Sequence, residues 1–98
     1  MLEISKMLTL GTMHIRPETG DMLDREAEDN ALGLSVYPKT GSGERFGWFI
    51  YLPRTLRTDG LPKDLLRCMA LAMDLDCAVL CLDADGPEQP YLETYDWD

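Results

Sequence analysis

A single α+β domain is what this sequence predicts, from three observations. Two stretches with apolar residues at helical spacing, 17–30 and 61–75, alternate with strand-like runs in the order βαββαβ. The two central runs, Leu34 to Pro38 and Phe46 to Leu52, are linked by turn-forming residues alone and read as a hairpin. The 98 residues, 45% of them hydrophobic, suffice for one core and not for two, so residues 1–98 form one domain. This order fits an open sheet with both helices on one face, ferredoxin-like or a related variant with an antiparallel or mixed sheet.

The elements follow in order. Met7 to Thr12, MLTLGT, alternates as a first strand does, and Gly11 marks a close backbone approach. Pro17 suits the first position of a helix, and Glu18, Asp21 and Asp24 favour the positive end of its dipole. That helix is predicted to run to about Asn30, with Gly33 as its stop. KTGSGER turns the hairpin, Pro53 ends its second strand, and TLRTDG forms a loop. In the second helix, Leu61 to Leu75, the side chains of Leu65, Leu66, Met69, Ala72 and Met73 share a face. Ala78 to Leu82 is an unbroken apolar run, as expected of a strand covered on both sides.

Nine basic residues against eighteen acidic ones give a net charge of −9, and phosphate repels such a surface. Direct nucleic-acid binding is therefore not expected, and basic partners are. Residues 18–29 hold six acids and one arginine, and residues 83–98 hold six acids and no base. No apolar run reaches the length of a membrane span, and MLEISKMLTLG lacks the features of a secretion signal, so a cytoplasmic protein is expected. Cys68, Cys77 and Cys81 contain no Cys-x-x-Cys pair and read as buried thiols rather than a disulfide framework or zinc site.

Asp83-Ala84-Asp85-Gly86, after the last strand, has the look of a metal-binding strand end. Counted as a calcium loop from Asp83, position five is Pro87 and position twelve is Thr94, neither of them the oxygen ligand required. No lysine follows to complete a phosphotransfer site, so the aspartates are expected to cap a turn, with no metal and no cofactor. His14, the only histidine, could meet Asp83 in an acid–base pair assisted by Cys81 or Thr12; a structural histidine bonding a backbone carbonyl is the weightier reading. The glycines of GSGERFG lack the lysine and the following helix of a phosphate loop. On a helical wheel Gly20, Leu23, Ala27 and Ala31 face the sheet, while Glu18, Asp21, Asp24, Glu28 and Asp29 sweep the other side. Acids three and four apart stand at about the spacing of nucleic-acid phosphates, at a cost in like-charge repulsion. Such a face is either a solvated surface or a phosphate decoy. Tyr91, Tyr95 and Trp97 in the acidic terminus are expected to fold back, against Trp48 or Tyr51, or to mark an interface.

Gly11-Thr12-Met13-His14-Ile15, Gly47-Trp48-Phe49-Ile50, Leu61, Leu82-Asp83 and Pro90 with the closing Thr94-Tyr95-Asp96-Trp97 together resemble a family of small proteins from bacterial plasmids and integrated mobile elements. The resemblance covers nearly the whole chain and implies a genomic setting but no reaction. Size and charge are similar, as a class, to those of anti-CRISPR and antirestriction proteins. The resulting expectation is a non-enzymatic inhibitor that presents carboxylates to the basic groove of a host protein or nucleoprotein complex. Glu18, Asp21, Asp24 and Glu28 form its first acidic patch, and Asp85, Glu88 and Glu93 its second. The competing expectations are an enzyme or small-ligand site on His14 and Asp83, and an antitoxin-like module.

Overall fold

A computed structural model describes residues 4–41, 44–56 and 59–97. Strand β1 (Met7–Gly11) ends in a 3-10 turn (Thr12–His14), followed by helix α1 (Pro17–Asp29), strands β2 (Ser35–Gly41) and β3 (Glu44–Tyr51), helix α2 (Lys63–Asp74) and strand β4 (Val79–Asp83). The sheet order is β1-β4-β3-β2, with β1 parallel to β4 and the other two contacts antiparallel. Of the alternatives the sequence leaves open, this is the mixed sheet. The hairpin strands run further than expected because Lys39 to Gly41 continues the ladder beyond Pro38, across a bulge between Lys39 and Thr40. Proline is tolerated there because β2 is an edge strand, where a missing N–H costs no ladder bond. Part of the hairpin tip, Ser42 and Gly43, and part of the predicted loop, Arg57 and Thr58, lie outside the described residues.

Alternation divides the sheet into two unlike faces. The rungs Leu10–Leu82–Trp48–Pro38 and Leu8–Leu80–Ile50–Val36 point one way. Their buried members form one cluster with Leu23 of α1 and Leu65, Cys68, Met69 and Ala72 of α2, so both helices lie on this face. Burying a side chain of the size of Leu80 or Leu82 is worth about 1.5–3 kcal/mol, which makes this layer the main source of stability. The opposite face carries Met7–Val79–Tyr51–Ser35 and Thr9–Cys81–Phe49–Tyr37, and no described helix covers it. Tyr37 and Tyr51 meet edge to face, 5.5 Å apart, and each stays about half exposed. Cys81 lies buried among these side chains, and Cys68 is buried on the helix side, where desolvation and then the neighbouring Asp64 push its thiol up to about 12. Both are inert thiols at neutral pH.

Candidate functional site

At the C-terminal ends of β1 and β4 one rung reads Gly11–Asp83–Gly47–Lys39. Gly47 leaves the middle of this rung empty, so the Lys39 side chain reaches over β3 to pair with the Asp83 carboxylate on β4. Its φ is +154, and a Cβ there would sit 1.7 Å from the Leu82 carbonyl oxygen, so no other residue fits. The second Asp83 oxygen accepts the Asp85 N–H at 2.8 Å, which closes the turn. The hydrogen bond from Lys39, then that from Asp85, hold the Asp83 carboxyl below its ordinary 3.8, and the Asp83 bond raises the Lys39 ammonium above 10.5.

These shifts fix the pH window of the pair. A lowered carboxyl stabilises above its ordinary value and loses that contribution as pH falls through its folded value. A raised ammonium stabilises below 10.5 and loses its contribution as pH rises through its folded value. Asp83→Asn is therefore expected to shift the urea midpoint by a constant amount, worth under about 1 kcal/mol for a solvent-screened pair, across neutral pH. The difference should vanish in acid, once the carboxyl is protonated, and shrink in strong base, where Lys39 loses its charge and the Asp85 N–H bond remains. A difference that persists at the acid end would contradict the pairing.

His14 lies elsewhere in function. It is buried, its Nδ1–H donates to the Glu93 carbonyl at 2.8 Å, and its Nε2 accepts the Gln89 N–H at 2.8 Å. Both ring nitrogens are thereby occupied by backbone, which defines the neutral Nδ1–H tautomer and leaves no lone pair for a substrate. No hydrogen bond joins His14 to Asp83, and Cys81 sits on the uncovered face while the His14 carbonyl meets Cys68 of the core at 3.8 Å. The ring instead anchors the C-terminal segment, together with Tyr95 N–H on the Met13 carbonyl at 2.7 Å and the Trp97 indole N–H on the Ile15 carbonyl at 2.8 Å. Trp97 thereby packs over Gly20, 6.3 Å from Trp48, as the aromatic terminus suggests; Tyr91 stays exposed.

The acidic residues separate into exposed and engaged ones. Glu18, Asp21 and Glu28 stand exposed on α1, as do Asp85, Glu88 and Glu93 beyond β4. Asp24 does not belong with them: half-buried, it accepts the Trp48 indole N–H at 2.9 Å. One residue past Leu23 is a turn of about 100°, which sets Asp24 at the border of the buried sector instead of opposite it. Two acids that the sequence reading left unmarked are buried. Asp64, in the first turn of α2, accepts the Arg16 N–H and the Thr19 hydroxyl, both at 2.7 Å, and so caps α1, which has no cap of its own. Glu26 accepts the Leu32 and Leu34 N–H groups in the loop leaving α1.

The first turns of both helices and the C-terminal segment enclose a cleft of about 510 Å³. Arg16, Lys63 and Arg67 on its walls are balanced by Glu18, Asp64 and Glu93, with Arg67 3.6 Å from Glu93 and Arg16 5.1 Å above the Tyr95 ring. Its cations are thus largely occupied by the cleft's own acids and aromatic ring. Among the described residues no group of three His, Cys, Asp or Glu side chains could hold a metal ion, and no helix is long and apolar enough to cross a membrane.

No curated protein and no solved structure matches the chain. A model described as the C-terminal domain of a family of unknown function, DUF5983, matches residues 7–97, from the first residue of β1 to the tryptophan that docks on α1, and the chain belongs to that family.

Proposed function

We propose that this domain is a non-enzymatic binding module of phage or plasmid type, which occupies the basic groove of a host nucleic-acid-binding defence complex in the manner of anti-CRISPR proteins. One observation carries the reading. Glu18, Asp21 and Glu28 project from one rigid helix into solvent, and no ion pair ties them to another described residue. These carboxylates outnumber Arg25, the single base among residues 18–29, and the excess raises a negative potential that a basic partner relieves. Asp85 and Glu88 extend the acidic surface beyond β4, while Glu93 is paired with Arg67 and Asp24 contributes through Trp48 to the fold. Backbone holds both ring nitrogens of His14, and Lys39 and Asp85 hold the Asp83 carboxylate, which weighs against the acid–base alternative.

The test is capture of the partner on the immobilised domain at low and high salt. A basic nucleoprotein complex should be retained at about 0.05 M salt and released as the Debye length shrinks. Charge reversal by Asp21→Lys with Glu28→Lys should weaken binding about tenfold or more, with thermal unfolding unchanged because neither side chain touches the core. Binding that ignores both salt and charge reversal would sink the proposal.

A further inference from the structure

The two edges of the sheet are protected unequally. Edge strands invite pairing with another chain and are usually blunted by proline, charge or a bulge. β2 has all three: Pro38, Lys39 and the bulge after it. β1, Met-Leu-Thr-Leu-Gly, has none.

Backbone phase shows which groups β1 offers. The Lys6 carbonyl accepts the Ala78 and Val79 N–H groups, so Lys6, and with it Leu8 and Leu10, turn their backbone groups to β4. Met7, Thr9 and Gly11 turn theirs outward, in keeping with the Gly11 N–H bonding the Pro87 carbonyl at 2.8 Å instead of β4. That leaves the N–H and C=O of Met7 and Thr9 with no bond from any described residue, while Gly11 is buried and its C=O accepts the first bond of the 3-10 turn. Met7 and Thr9 also present their side chains on the uncovered face, Met7 about half exposed, so an added strand would meet an apolar neighbour there.

We infer that the β1 edge is a strand-addition site for an extended segment of the partner protein with basic residues at the end that meets Asp85 and Glu88. This rests on the basic partner proposed above and names how it is held. The charge comes from the flanks. Pro87, which closes the edge at Gly11, lies between exposed Asp85 and Glu88, and at the other end the Lys6 ammonium is tied to the Leu75 carbonyl beside exposed Asp76. An uncharged strand with acids at its Gly11 end matches an apolar segment with lysines or arginines at the end that meets Asp85 and Glu88, where main-chain bonds give affinity and the flank gives selectivity. A second copy of this chain is opposed by the net charge of −9 that each chain carries.

The probe is a synthetic peptide with an alternating valine–threonine core and lysines at one end, titrated into the isotope-labelled domain at about 0.15 M salt, where charges more than about 8 Å apart are screened. The Met7 and Thr9 amides should shift, and Thr9→Pro should weaken binding about tenfold or more, since it removes an outward N–H and leaves the β4 ladder whole. The same peptide N-methylated at alternate amides should also lose binding, which tests the edge without altering the protein. Asp85→Lys with Glu88→Lys should weaken the peptide, and Asp21→Lys with Glu28→Lys should not. Shifts confined to α1 or the uncovered face, indifference to Thr9→Pro and to N-methylation, or dimerisation of the domain through β1 would each overturn the inference. A captured partner that survives Thr9→Pro but is lost on α1 charge reversal would overturn the edge site alone and leave the acidic-helix reading standing.

Discussion

Replacing Glu26 with alanine is expected to lower the unfolding free energy by about 3 kcal/mol, the cost of leaving two backbone donors without their acceptor at about 1–3 kcal/mol each. Glu26 is 3% exposed, near the C-terminal end of α1, where the helix dipole disfavours a negative charge. Hydrogen bonds therefore have to outweigh that placement. Leu32 N–H is shared by both carboxylate oxygens at 3.0 and 3.1 Å, and Leu34 N–H meets one of them at 2.8 Å. The carboxylate thereby sets the path of the loop from the left-handed Asn30, φ 52, to the start of β2, and seats Leu34 and Val36 in the core. Glu26→Gln keeps one accepting oxygen and turns an NH₂ toward a donor, so about half the loss is expected. Urea unfolding at neutral pH measures both; a Glu26→Ala midpoint equal to that of the parent would show that the loop holds itself.

The same residue marks what the sequence made legible and what it did not. Helical periodicity located both helices, because Leu23 in α1 and Leu65, Met69 and Ala72 in α2 obey it without exception. Glu26 obeys it too, three residues after Leu23 and on the buried side, but among six acids in residues 18–29 its charge hid its position. Only the wheel, applied to the acids as strictly as to the leucines, would have separated Glu26 and Asp24 from Glu18, Asp21 and Glu28. Asp64 carried no such sign: its partners Arg16 and Thr19 come from another element, and capping across elements depends on how the two helices meet. Strand order was illegible for the same reason, since the Met7↔Val79 pairing joins the two ends of the chain and no local pattern records it. The hairpin was legible in type but not in extent, because whether a proline ends a strand depends on whether that strand lies at an edge.

His14→Ala is expected to cost about 3–4 kcal/mol, through loss of a buried ring and of two hydrogen bonds at once. The ring is 2% exposed, and its removal strands the Gln89 N–H and the Glu93 carbonyl, two of the points at which the C-terminal segment is riveted to the turn after β1. Tyr95 and Trp97 then hold by one bond each, to Met13 and Ile15, so the segment should loosen before the sheet does. Red-shifted tryptophan emission and faster hydrogen exchange at Gln89 and Tyr95 would report this, with the β4 amides changed only as far as global stability falls. His14→Asn, which can keep a donor near the Glu93 carbonyl but cannot reach Gln89, should cost about half as much. Truncation separates anchoring from packing: in a chain lacking residues 89–98 the ring has no segment to hold, so His14→Ala should cost only its lost packing, about 1–2 kcal/mol. If the two changes instead add fully, the histidine acts on the core alone and the segment docks without it.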